Sequence, residues 1–110
     1  MATSYITDSS PAGDMEKLTV AGTATVPTAS KLLIRQEGGT YKRAVRAFIT
    51  VETAPCRIRF DGTAPDSSTG HLLTDGDYIT VEGEQNVANI KLIRTSGTSS
   101  EVMVTYFYNR

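Results

Sequence analysis

The chain has 110 residues, 39% of them hydrophobic and 21% charged, with eleven Lys and Arg against twelve Asp and Glu for a formal charge of -1. That length suffices for one domain burying roughly two-thirds of its unfolded surface without staples, and the near-zero charge supplies no field to draw the protein onto nucleic acid or anionic lipid. The single cysteine, Cys56, excludes an intrachain disulfide, and no run approaches the ~18 apolar residues of a membrane span.

Residues 1 to 16 are polar, broken by Pro11 and Gly13, and carry Asp8, Asp14 and Glu16 with no base among them. They read as an extended N-terminal arm that either frays or orders against a partner, with Tyr5 and Ile6 as its anchors. The arm has neither a basic nor an apolar leader segment, so secretion is not expected and synthesis in a reducing cytoplasm is. Residues 17 to 110 are then the single folded domain.

Leu18, Val20, Gly22, Ala24 and Val26 alternate with Thr19, Ala21, Thr23 and Thr25, a period-2 run that Pro27 stops, and this predicts the first strand. Lys31 to Arg35, holding Leu32, Leu33 and Ile34, is too short for a stable helix and reads as a short strand before the Glu37-Gly38-Gly39-Thr40 turn. Arg43 to Thr53 is a long strand with Val45, Ala47, Ile49 and Val51 on one face and Arg46, Phe48, Thr50 and Glu52 on the other. Phe48 thus sits among polar residues, where it packs beneath a loop or the arm, or else joins a subunit interface. Tyr41, Lys42, Arg43 and Arg46 form a small basic aromatic patch of the kind that is ordinarily solvated, and no nucleic-acid partner is expected.

Cys56, Ile58 and Phe60 alternate with Arg57 and Arg59, which points Cys56 inward as a small buried hydrophobe. Residues 61 to 77 then collect Asp61-Gly62, Pro65-Asp66, Ser67-Ser68-Thr69-Gly70 and Asp75-Gly76-Asp77, turn formers dense enough to require a surface loop. Ile79 and Val81 resume the alternation. Glu84 to Asn86 reads as a turn and residues 87 to 94 as a strand grouping Ala88, Ile90 and Leu92. In the closing strand Val102, Val104, Tyr106 and Tyr108 share one face while Met103, Thr105 and Phe107 share the other, both partly buried. About seven strands at this spacing, with no helical periodicity, predict an all-β fold, a small jelly-roll-like β-sandwich.

Little in the sequence resembles catalytic machinery. His71 is the only histidine; it neighbours Asp66 and Ser67 but lacks a nucleophile-elbow sequence or a Cys/His pairing, so no enzyme activity is expected. The Asp-Gly pairs are accounted for by tight turns and do not follow a calcium-loop spacing, and one Cys with one His is too few for zinc. Neither a metal nor a cofactor is expected.

The run A-P-C-R-I-R-F-D-G-T-A-P-D-S-S-T-G-H-L-L-T-D-G-D-Y-I-T-V-E-G, continued by N-I-K-L-I-R-T-S-G-T-S-S-E-V-M-V-T-Y-F-Y, resembles small virion proteins of tailed bacteriophages over residues 54 to 108. Shared with them is the order of an Arg-aromatic-Asp-Gly strand end, a Pro and Ser/Thr loop, Gly-His-x-Leu, an Ile-Arg strand and an aromatic last strand. The resemblance implies a structural virion protein, a capsid decoration or cement protein on the capsid exterior. Such a protein bridges capsomers and has the major capsid protein and itself, as dimer or trimer, for partners. A neck, tail or fibre-attachment component is the alternative, and a glycan-binding sandwich stacking a sugar on Tyr78, Tyr106 or Tyr108 is a third. Contact candidates, taken from the arm, the loop and exposed strand phase, are Tyr5, Ile6, Phe48, Asp66, His71, Tyr106 and Tyr108.

Overall fold

The computed structural model describes residues 12–35, 39 and 41–109. Tyr5 and Ile6 lie outside the described residues. The described elements are β1 (Ala12–Val20), α1 (Ala29–Leu32), β2 (Leu33–Arg35), β3 (Tyr41–Glu52), β4 (Cys56–Arg59), β5 (His71–Leu73), β6 (Tyr78–Glu82), α2 (Glu84–Ala88), β7 (Lys91–Arg94) and β8 (Ser100–Tyr108). The larger sheet runs β1-β8-β3-β2, with β6 also on β3, and the smaller runs β5-β4-β7.

The wiring is that of a long hairpin rolled onto itself. β1 pairs with β8, β3 with β6 and β4 with β5, all antiparallel, and between the first two pairs Thr25 bridges Leu92 of β7. The first half of the chain is therefore matched in reverse order by the second. Rolling this hairpin brings β3 against β8 and β4 against β7, which divides it into two facing sheets, the jelly-roll arrangement. The alternation in the sequence is what allows it, because each strand offers one apolar row to the space between the sheets.

Leu18 and Val20, Ala47, Ile49 and Val51, and Val102, Val104 and Tyr106 face inward from the larger sheet; Cys56, Ile58, Leu73 and Leu92 meet them from the smaller one, with Val87 and Ile90 closing the side. Cys56 is fully buried, and burial pushes its thiol pKa up. A thiol reagent is therefore expected to label Cys56 only after denaturation; rapid labelling of the native protein would contradict this strand phase.

Several boundaries differ from the sequence expectation, each for a local reason. The arm expected to end at residue 16 gives way to β1 at Ala12, since backbone pairing to the strongly β-prone β8 recruits polar residues with no alternating signal of their own. The strand expected to reach Val26 ends at Val20. Beyond it Ala21 to Thr28 forms a strap along the β7 edge, with Arg94 N donating to Ala21 O at 3.0 Å and Thr25 N to Leu92 O at 2.7 Å. A strap of this kind covers an edge that would otherwise be open to intermolecular pairing.

Two short helices, α1 and α2, stand where no helix was expected; one or two turns are too short to leave a periodic trace. The helix α2 replaces the turn expected at residues 84–86 and takes residues 87 and 88 out of the strand expected to begin at residue 87, leaving Val87, not Ala88, buried beside Ile90 and Leu92. In β3 a register shift between Ala44 and Arg46 breaks the alternation. Val45 falls out of the inner row, Ala44 and Ala47 both point inward, and the Val45 carbonyl accepts from Gly83 N at 2.8 Å.

Candidate functional site

The two faces of β8 behave differently. Tyr106 and Tyr108, expected as exposed contact residues, are core side chains at 0% and 3% exposure. Val102, Val104, Tyr106 and Tyr108 do share one face, but it is the face turned to the core and not an exposed one. On the same inner row of β1 stand Asp14 and Glu16, opposite Tyr106 and Val104, and their carboxylates are used to close the end of the sandwich. Tyr106 Oη donates to Glu16 Oε2, and Glu16 also accepts from Thr28 N at 3.1 Å and Thr28 Oγ1 at 2.6 Å. Tyr108 Oη donates to the Lys31 carbonyl at 2.7 Å, while Lys31 Nζ pairs with Asp14 at 2.9 Å.

Partial burial alone would raise the Glu16 pKa, but the hydrogen bonds from Thr28 and Tyr106, with the Lys31 charge, outweigh it and hold the carboxyl below its ordinary value. Burial, then the hydrogen bond to Glu16 and the Glu16 charge, pushes the Tyr106 hydroxyl far above the usual phenol range, and burial likewise takes Tyr108 up to about 12. Gly13 makes this closure possible, because a Cβ there would overlap the Tyr108 ring. These residues form a structural clasp in which Tyr106 and Tyr108 are held inside the core.

The outward row of the larger sheet is the first candidate surface. Phe48 lies opposite Thr80 and Thr105, and Thr105 lies opposite Met15; Tyr78 and Met103 flank Thr50, and Met103 lies opposite Lys17. Met15 and Tyr78 are 52% and 56% exposed, while Phe48 and Met103 are half-buried. The Phe48 and Tyr78 rings meet in a tilted contact at 5.8 Å between centroids. At the end of this face Arg46, buried despite its charge, places its guanidinium 4.9 Å from the Phe107 ring centroid. The result is a threonine, methionine and aromatic surface spanning four strands. Sequence reasoning had picked out Phe48 but missed Met15, which it had placed in the arm, and Met103, whose outward phase on β8 was the available signal.

The second candidate surface is the loop between β4 and β5. Arg57 reaches across it, donating from Nε to Ser67 O at 3.1 Å and from Nη1 to Gly70 O at 2.9 Å. Asp66, a sequence candidate, accepts from Ser68 N at 2.8 Å and Ser68 Oγ at 3.1 Å, which lowers its pKa and ties it up as a turn former. Asp77 closes the next turn in the same way on Thr74 N and Oγ1, at 2.8 and 2.9 Å. Among the described residues no three of His, Cys, Asp and Glu converge as a metal site would need.

His71 sits at the start of β5, exposed, with its ring stacked on Phe60 at 5.7 Å and 20° between planes. Beside it Arg59 forms a two-pronged pair with Asp61, Nε to Oδ1 at 3.1 Å and Nη2 to Oδ2 at 2.5 Å, while Asp61 Oδ1 also accepts from Thr63 N at 3.2 Å. The guanidinium first, then the Thr63 amide, holds the Asp61 pKa down to about 2. Arg59, Asp61, Thr69, Gly70 and His71 line an open cleft of about 370 Å³.

The cleft depends on Gly70. Its φ is +133°, and a Cβ there would stand 3.1 Å from both the Arg57 and Pro65 Cβ atoms. Gly70→Ala is expected to cost about 1–3 kcal/mol of stability through backbone strain and contact, read by denaturant titration; an unchanged midpoint would contradict this loop geometry.

The sequence grouped Asp66 and His71 as one loop. The structure uses Asp66 in a turn and His71 in a cleft whose other charged members, Arg59 and Asp61, come from the Arg-aromatic-Asp-Gly strand end. Comparison with family models, with curated proteins and with solved structures finds no match to this chain.

Proposed function

We propose that this chain is a structural virion protein that sits on the exterior of a tailed-phage capsid, binds the major capsid protein and itself, and stabilises the shell by bridging neighbouring capsomers. The observation that carries the reading is the outward face of the larger sheet. A domain whose core is already complete between its sheets still presents Met15, Tyr78, Phe48 and Met103 together on one surface. Such an apolar patch, rimmed by Lys17, Glu101 and Glu82, suits contact with another protein surface. The resemblance of residues 54 to 108 to tailed-phage virion proteins supplies the context. Cementing needs no chemistry, only many weak contacts acting together. A neck, tail or fibre-attachment role uses the same surface at a different place on the particle.

Tyr78→Glu and Met15→Glu, both at exposed positions, test the reading by co-sedimentation with phage heads lacking this protein. The expected result is unchanged folding by circular dichroism with loss of co-sedimentation. Binding equal to that of the unaltered chain would remove this face from the account.

A further inference from the structure

We propose that the cleft lined by Arg59, Asp61, Thr69, Gly70 and His71 is a binding site for a neutral saccharide ring. The proposal does not depend on the virion reading, since it concerns the end of the smaller sheet and not the face of the larger one.

Three features support it. The first is charge. Arg59 and Asp61 pair their opposite charges within the lining, which keeps a guanidinium with further N–H donors next to a carboxylate with further lone pairs. Donor and acceptor side by side match vicinal hydroxyl groups, each of which gives one hydrogen bond and accepts others. Because the carboxyl titrates near 2, it stays an acceptor at any physiological pH.

The second is the flat ring of His71. It is backed by Phe60, which fixes its plane, and it is exposed along the cleft. A supported ring of this type offers an apolar surface to the C–H face of a sugar, a role the sequence had given to Tyr78, Tyr106 or Tyr108, of which the structure places Tyr106 and Tyr108 in the core and Tyr78 on the larger sheet.

The third is rigidity. Arg57 clamps Ser67 O and Gly70 O, Lys91 Nζ donates to Gly62 O at 3.2 Å, and Asp61 and Asp66 each cap a turn. The loop is therefore ordered before any ligand arrives, which reduces the entropy cost of binding. The cleft volume of about 370 Å³ lies near the lower end of ligand pockets, roughly 300–1,000 Å³, and suits one or two rings.

The test is a nitrogen-15 NMR titration of the full chain with glucose, galactose, mannose and N-acetylglucosamine, each separately, and with sodium acetate and inorganic phosphate as anion probes. The expected result is saturable shifts at the Thr69, Gly70 and His71 amides with at least one of the four sugars, at millimolar affinity. Asp61→Asn keeps the acceptor for Thr63 N but removes the charge, and it should weaken that sugar's binding roughly tenfold. His71→Ala should weaken it by a similar factor while leaving the rest of the spectrum in place. No saturable shift with any of the four sugars would overturn the proposal. So would tighter binding of acetate or phosphate at the same amides, or unaltered sugar affinity in both variants.

Discussion

Ile49→Ala is expected to lower the unfolding free energy by about 2–5 kcal/mol, the range for truncating a fully buried branched side chain when the cavity only partly collapses. Ile49 is 0% exposed and occupies the middle of β3, opposite Ile79 of β6 and Val104 of β8. It therefore contacts the part of the core where the two halves of the rolled hairpin meet. For a domain whose total stability is about 5–15 kcal/mol, such a loss approaches unfolding at room temperature. Thr50→Ala, one residue on and half-buried on the opposite face, should cost much less. Urea titration of both variants reads the contrast directly; equal costs would mean that the register of β3 after its bulge is wrong.

Glu16→Leu is expected to cost about 1–3 kcal/mol, because it strands the buried Tyr106 hydroxyl and the Thr28 amide without their shared acceptor. Tyr106→Phe in the same chain should recover part of that loss, since no hydroxyl then needs a partner. The carboxylates of the clasp also give the stability a pH dependence of defined sign. Glu16 and Asp14 both have folded pKa values below their ordinary ones, Glu16 because its hydrogen bonds overcome burial and Asp14 because of Lys31 and the Met15 amide. Their contribution is fully present above the unfolded carboxylate pKa of about 4 and is lost as the pH falls through the folded values. Asp61, Asp66 and Asp77 are lowered too and act in the same direction. The Glu16 share is thus isolated by difference: Glu16→Leu should lose less stability than the unaltered chain between neutral pH and pH about 3. An identical pH profile would show that Glu16 does not hold the clasp.

How far the fold could be read from sequence depended on the strength of local alternation. Ile49, Val51, Cys56 and Ile58 were placed on an inward row because period 2 is unambiguous where apolar and polar residues exchange strictly, whereas β8, apolar on both faces, left Val102 and Val104 grouped on one row without showing which row faces the core. The β1 start was not legible, since Ala12 to Glu16 carry no apolar row and become a strand only through pairing with β8. Nor was the bulge at Val45: both Ala44 and Ala47 suit an interior, and nothing in the composition marks the residue that steps out of register. Tyr106 and Tyr108 show a different limit. An aromatic with a hydroxyl fits a partner interface as well as a core, and what decides here is the presence of Glu16 and the Lys31 carbonyl, supplied from 90 and 77 positions away in the chain. For the candidate surfaces the sequence supplied parts without their grouping. His71 was visible as the lone histidine, but Phe60 beneath it and the Arg59–Asp61 pair beside it belong together only once β5 pairs with β4.

The proposed decoration of a capsid exterior by this jelly roll is tested by cryo-electron microscopy of undecorated phage heads incubated with the purified protein. The expected result is density at many equivalent positions over the shell, related by its symmetry axes, with the β1-β8-β3-β6 face turned toward a neighbouring protein. A single ring at one vertex would contradict the capsid-wide role and assign the protein to the neck or tail. Bare heads would contradict the virion reading altogether.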